Sequence, residues 1–506
     1  MFKGLNQNII ITDGEFAKLK NVSDRHFPVI SSRPNRGALD KKFNAPKGIF
    51  YKNGLFYIDE TKAFYKDEEK FSVSDSDKII VGMGAYICIF PDKVMFNTND
   101  GTLSQMEATY TQDKAITFAP LSEGSAFTKI TASGINEKFS KNDNIKISGC
   151  TNTKYNATKI INDIGTDYIV VTGALTESFT QDSGLKFERL VPDMDFVAER
   201  DNRLWGCSSA NHEVYCCKIG DPKNWYNYEA EADNAWAATV GSDGDFTGCT
   251  KYSTYMMFFK ENTVHILRGD KPANFALAEK ELPGVRKGCS KSIQIIDDTL
   301  YYVGRNGVYA FDGAIPQLIS TNIIQSITDA VSCQHDSKLY ISCKLDGTQT
   351  LLVYDPRYGI WDVEDDTTFK YAAFSEGLLH YVDADNNLTS IYGNRDEHID
   401  WNIESGDVLE NSLDQKYVSK LKINISLNVG SEVKVFMKVD DEPMWHRKGY
   451  IRSTANKTYT IPIIPQRCSK YRYRLEGTGE FKLIGISRDI ETGSEINGSI
   501  QRSFRR

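Results

Sequence analysis

One short paragraph of sequence is written repeatedly along this 506-residue chain, and that repetition constrains the fold more than any single motif. Its clearest copy is Asp195 to Tyr228, DFVAERDNRLWGCSSANHEVYCCKIGDPKNWYNY. Phe196-Val197 opens an apolar strand, Glu199-Arg200-Asp201-Asn202 makes a polar turn, and Leu204 to Cys207 is a second strand. After a Ser-Ser-Ala-Asn-His loop, Val214 to Cys217 forms a third, and Pro222 bars a continuing central strand. Short strands joined by tight polar turns make an antiparallel meander. Further copies begin at Lys47, Lys78, Gly248, Lys291, Ser332 and Tyr371, with Asn-Gly, Asp-Gly and Glu-Asn turns between their strands. That is about seven units of roughly 40–50 residues, the size of a propeller blade.

A meander cannot bury both faces alone, so the units must stack on one another. Radial closure is one answer to their exposed edges, and it predicts a β-propeller of about seven blades. The competing arrangement is a run of sandwiches. Gly-His with Trp-Asp pairs, kelch Gly-Gly pairs and sialidase-type boxes are all missing from the sequence. Closure predicts burial of Leu204, Trp205, Tyr215, Phe258, Leu300, Tyr302, Tyr309, Leu339, Tyr340 and Leu379.

The remaining segments break this pattern. Residues 1–37 carry too little periodic apolar sequence for a domain and read as an extended arm. Its Arg25, Phe27, Pro28, Val29, Ile30 and Arg33 are an apolar-basic mix that suits docking on a neighbouring subunit. The propeller is expected in two stretches of chain, 38–105 and 191–393. Between them, 106–190 alternates apolar and polar residues in short strands and reads as a small β-barrel inserted at a loop, which costs little. Within it, Phe139 to Gly149 is expected as strand-loop-strand, and Thr158 to Thr172 as a hairpin turning at Ile164-Gly165-Thr166. A polar linker after Gly393 leads to a period-two region (KLKINISL, EVKVFMKV and three later strands), so 394–491 reads as linker and C-terminal β-sandwich. Residues 492–506 are expected to be a flexible or partner-bound tail.

A net charge of −8 argues against a globally basic nucleic-acid binder. The ten cysteines lack zinc-finger spacing, and many sit in strand patterns, where cysteine acts as a small hydrophobe. Together with an N-terminus that has no apolar leader, this predicts reduced, structural thiols, with Cys468 the most informative to test. No stretch approaches the length of a membrane span, so no membrane insertion is expected. Gly82-Met83-Gly84 lacks the third glycine of a phosphate loop, and His212-Glu213 has no second histidine at helical spacing. Asp383-Ala-Asp385-Asn-Asn387 starts like a calcium loop but has Leu388 and Asn394 at decisive positions, so a hairpin turn is the reading. No catalytic, cofactor-binding or metal-binding residue is assigned, and no enzyme or cofactor is predicted. Carboxylate pairs brought together in space stay open, as for a glycoside hydrolase.

Several stretches, in order, resemble one family: bacteriophage virion proteins of the propeller-containing tail nozzle (tail tubular protein B-like) type. These are GLNQNIIITDGEFAKLKNVSDRHFPVISSRPNRG, ERDNRLWGCSSANHEVYCCKIGDPKNW, MMFFKENTVHILRGDKPANF, GCSKSIQIIDDTLYYVGRNGVYAFDG, KYVSKLKINISLNVGSEVKVFMKVD and IIPQRCSKYRYRLEGTGEFKLIGISRDIETGSE. They cover well over half the chain, while 106–190 matches less well. The resemblance implies a non-enzymatic virion (tail) protein assembled in the host cytoplasm. It also implies a homo-oligomeric ring, a hexamer by resemblance, that contacts other tail or connector proteins and passes DNA through its lumen without specific binding. The alternative is a receptor- or carbohydrate-binding propeller at a tail tip, which Trp225, Tyr226 and Trp236 would favour if exposed at one face, though such aromatics usually pack between blades.

Overall fold

Two-residue turns set the architecture. Asp201 (φ 54°) and Asn202 (φ 58°), Asp297 and Asp298, and Asp336 and Ser337 all hold positive φ between paired strands. That is the backbone twist a tight hairpin demands, and Asp and Asn tolerate it best among residues with side chains. In the computed structural model, which describes residues 2–9, 11–228, 231–410, 414–452 and 454–492, such hairpins build an all-β chain. The chain divides into two compact units, Phe43–Leu300 and Met1–Lys42 with Tyr301–Arg506.

Among the described residues, seven four-stranded antiparallel sheets, six of them with their strands in sequential order, are the blades of a β-propeller. The first is Pro46–Tyr51, Leu55–Asp59, Lys62–Tyr65 and Glu68–Ser72; the second is Ile79–Met83, Tyr86–Phe90, Val94–Asn97 and Leu103–Gln105. The third is Phe196–Arg200, Arg203–Ser208, Glu213–Cys216 and Trp236–Thr239; the fourth is Gly248–Tyr252, Tyr255–Phe259, Val264–Arg268 and Ala276–Lys280. The fifth runs from Gln294–Ile296 to Gln317–Leu318 and contains the division between the units. The sixth is Ile327–His335, Lys338–Leu345, Thr348–Asp355 and Ile360–Val363. The seventh takes Tyr371–Ser375, Leu378–Val382 and Asn387–Ser390 and is completed by Lys41–Lys42 from the other end of the chain.

The blades bury both faces, so their cores lie between sheets. Leu204, Tyr215 and Cys217 pack with Met83, Cys88 and Phe90 of the second blade. One residue along, Trp205, Cys207 and Cys216 face the other way, onto Met256, Phe258 and Leu267 of the fourth. A similar layer joins the sixth and seventh blades through Tyr340, Val353, Phe369 and Leu379. All ten residues expected in the core are buried.

In the Phe43–Leu300 unit, an eight-stranded sheet from Ala108–Thr111 to Lys186–Arg189 curls around one apolar core that includes Phe118, Ile130, Ile161 and Phe187. Two local expectations are corrected there. Phe139 to Gly149 holds one strand, Asn144–Ser148, because Asp143 closes a turn on Ser140, its carboxylate accepting from the Ser140 amide at 2.9 Å and its own amide donating to the Ser140 carbonyl at 3.1 Å. The Thr158 hairpin turns at Thr166-Asp167, two residues later than expected, with Asp167 (φ 59°) taking the positive-φ position. In the first meander copy, strand pairing likewise extends through Arg200, leaving only Asp201-Asn202 in the turn.

The sandwich in the other unit has two five-stranded sheets. One orders Lys18–Lys20, Asp400–Glu404, Tyr471–Thr478, Glu432–Val439 and His446–Ile451; the other orders Val22–His26, Val29–Ser32, Phe481–Thr492, Lys416–Leu427 and Lys457–Pro462. Residues 1–37 are therefore not a separate arm. They contribute strands to both sheets, because Leu19, Val22 and Ile30 supply the alternating apolar side chains that the sandwich core needs. A piece of the expected linker, Asp400–Glu404, is a strand between them. The tail expected at 492–506 lies beyond Thr492, outside the described residues.

Candidate functional site at the woven N-terminal segment

The residues between Ser32 and Lys41 leave the sandwich and run to the seventh blade, and they are held by charge. Arg33 donates through Nη1 to Glu397 at 2.8 Å and lies 3.1 Å from Asp365. Arg36 is forked, with Nη1 to Glu364 at 2.7 Å and Nη2 to Asp365 at 2.8 Å. Asn21 accepts from Arg33 Nε at 2.7 Å and donates to the Asp400 carbonyl at 2.6 Å. Backbone contact is just as close: Gly37 N donates to the Ser390 carbonyl at 2.8 Å, and any side chain at Gly393 would run into the Gly37 backbone.

A second cluster holds the Val22–His26 strand. Lys338 of the sixth blade pairs with Asp24 and lies 3.4 Å from Asp355, which in turn binds Arg357 at 2.6 Å. The Asp24 amide donates to Asp362 at 2.7 Å. Three aspartates thus crowd around two cations.

Burial governs how these groups titrate. It pushes the Asp362 carboxyl well above the ordinary carboxylate range, a shift to which the neighbouring Asp24 adds. Burial also raises Asp24, more than Lys338 lowers it. Glu364 is raised by burial despite Arg36. Asp365 goes the other way: burial opposes ionisation, but Arg36, Arg33 and the bonds from Thr367 outweigh it and hold the carboxyl below its usual value. Carboxyls displaced in opposite directions are the pattern expected of acid–base pairs. Here Asp24, Asp362 and Glu364 are each no more than 2 % exposed, and their partners are other parts of the same chain. Joined to one another across distant stretches of the chain, they act as a lock.

The other residues singled out from the sequence do not assemble around this lock. Trp225 is fully buried and donates to the Pro222 carbonyl at 2.8 Å, and Trp236 packs against Trp205 and Phe275. Trp225, Tyr226 and Trp236 therefore form no exposed platform: these rings fill spaces beside blades, and Tyr226 packs edge-on to the half-exposed Tyr228. Asp383 uses its carboxylate on the amides of Asp385 and Asn387, closing a hairpin. His212 is an exposed turn residue. All ten cysteines are unpaired and all but Cys249 are buried, which raises the thiols of Cys88, Cys216 and Cys333 to about 12. Among the described residues no cluster of side chains could hold a metal ion, and no helix is long and apolar enough to cross a membrane.

Sequence reasoning missed the lock because its members lie more than 300 residues apart. A faint signal was present: Arg33 and Arg36 in a segment poor in apolar residues, and the acidic run Glu364-Asp365-Asp366 directly after a strand.

No protein-family model and no curated protein matches the chain. Among solved structures it is similar to BamB from Moraxella catarrhalis, at 12 % identity and a TM-score of 0.31, covering 76 % of this chain and 100 % of that one. It is also similar to apo AztD from Citrobacter koseri, at 10 % identity and a TM-score of 0.29, covering 79 % and 98 %. Likenesses this slight carry no function across. The strand order of the seven sheets is what defines the class, a β-propeller.

Proposed function

We propose that this chain is a non-enzymatic structural subunit of a bacteriophage tail, a propeller that assembles into a ring of nozzle or connector type around the path of the DNA. The resemblance of its ordered motifs supports this reading, and one structural observation carries it. The N-terminal 42 residues are woven through both sheets of the sandwich and into the seventh blade, so the segment before the propeller is tied down rather than trailing. Peeling it away would break strand pairing and two buried ion clusters together, which suits a subunit that must hold shape while DNA passes under pressure. A net charge of −8 also suits a lumen that must not retain DNA. On this reading the partners are further copies of the chain, six in a ring, and neighbouring tail proteins.

Imaging of the purified full-length protein tests the proposal. Rings with a central channel are expected, together with incorporation into phage particles when the chain is co-expressed with its neighbouring virion proteins. A protein that stays monomeric at every concentration and never enters particles would overturn it.

A further inference from the structure

We infer that the outer face of one sandwich sheet is a saccharide-binding site, a function that does not depend on the tail reading. In this sheet Leu19, Trp401, Ile403, Tyr473, Leu475, Val433 and Val435 point into the core. Alternation therefore puts their neighbours on the opposite face. Strand register lines these up in rows across the sheet. One row is Lys20, Asn402, Glu476, Lys434 and Tyr450. The next is Lys18, Glu404, Arg474, Phe436 and Arg447.

The first row borders a cleft of about 280 Å³ that also reaches Glu432, Thr478 and Trp401. One polar atom there, Oδ1 of Asn402, an acceptor, is buried without any hydrogen-bond partner. Unsatisfied buried polar atoms are costly and mark places where a ligand or water completes the bonding. The Lys20 ammonium has no partner among the described residues either. Beside the cleft, Tyr450 donates to Glu432, and Arg452 lies 3.2 Å from the same carboxylate, fixing that wall.

The chemistry selects the ligand. Donors and acceptors alternate along the row, so an anion would meet Glu476 and Glu432, and a cation would meet Lys20 and Lys434. A hydroxyl, which donates and accepts at once, satisfies both kinds of neighbour. The second row adds a stacking surface. The Arg474 guanidinium lies 5.0 Å from the Phe436 ring and 4.6 Å from that of Trp445, and Lys438 lies 5.0 Å from Trp445. These rings are held in place beside the cleft and partly exposed, which suits the apolar faces of sugar rings. From the strand of Asn402 to that of Tyr450 is three strand spacings, about 14 Å, room for a short oligosaccharide.

The test uses the full-length protein titrated with chitohexaose and maltohexaose by calorimetry, alongside an array of neutral and acidic glycans. Binding of at least one saccharide is expected, weakened about tenfold or more by Asn402→Ala and by Glu476→Ala. Both side chains lie off the core, so thermal melts should stay unchanged. Lys482→Ala, on the other sheet, serves as the control and should bind normally. Trp445→Phe should keep affinity within about threefold while removing the fluorescence change on binding. No binding to any glycan, or affinity undiminished in both variants, would overturn the inference, as would equal loss in the control.

Discussion

The layers between blades and the lock at the N-terminal segment do the same job, joining distant parts of one chain, with opposite chemistry. Between the third and fourth blades the contact is Trp205, Cys207, Met256 and Phe258, apolar and tolerant of small shifts. At the N-terminal segment it is Arg33, Arg36, Glu364, Asp365 and Glu397, which fit in one register only. Apolar layers stabilise in proportion to area. A buried ionic cluster gains little net stability, since desolvation offsets attraction, but it penalises every arrangement that separates its members. The blades are held by the first kind of contact, and the seating of the N-terminal segment is specified by the second.

The largest effect expected is from deleting residues 1–37. A dispensable arm would leave a folded protein that merely fails to assemble. Because this segment supplies strands to both sandwich sheets, the truncated chain should instead expose the sandwich core and aggregate, or lose its cooperative melt. A soluble truncation melting like the full chain would restore the arm to a detachable role. Next come two single substitutions of similar size and different character. Trp205→Ala should cost about 3–5 kcal/mol in urea unfolding, as an aromatic removed from a packed layer. Arg36→Met should also cost about 3–5 kcal/mol, by stranding two buried carboxylates. Only the second should be partly rescued by a further change, Glu364→Gln; equal rescue of both, or of neither, would erase the distinction.

A smaller effect sharpens the ionic side. Asp362 has a raised carboxyl pKa in the folded protein, so above the ordinary carboxyl value of about 3.9 the folded state holds a proton that the unfolded state has released. Stability must then fall as pH rises through the folded value. Asp362→Asn, which keeps the amide acceptor but cannot ionise, should flatten that fall in melts compared between mildly acidic and alkaline pH. An unchanged slope would mean the proton is not held there. Smallest of all, one maleimide should react quickly per native chain, at the partly exposed Cys249, without altering the melt; the buried thiols should react only on unfolding.

The blades were legible in the sequence because each is local: a two-residue turn such as Asp201-Asn202 and the apolar runs on either side lie within about ten residues. Which neighbour each side chain faces came from the structure, where Leu204 and Trp205, one position apart, pack on opposite blades. The weave was not legible in the sequence either. Lys18–Lys20 pairs with Asp400–Glu404, and neither stretch has an apolar pattern long enough to announce a strand. Trp225 and Trp236 were undecided for a related reason, since an indole reads the same whether it faces solvent or fills a layer, and the structure has them packed. The rows on the sandwich face became visible only when register set Asn402 beside Glu476.

The weave also bears on how the protein is made. Residues 18–32 are synthesised well before their partners at 400–404 and 481–492. Likewise the strand that completes the seventh blade must wait for Asn387–Ser390. Blades can form one after another during synthesis, but the strand-forming residues 18–32 stay without their partners until all the chain between them has been made. Such a chain gains from a chaperone that shields residues 18–32 in the meantime, and a circular permutation that made them beside their partners would change how the protein matures more than what it finally becomes.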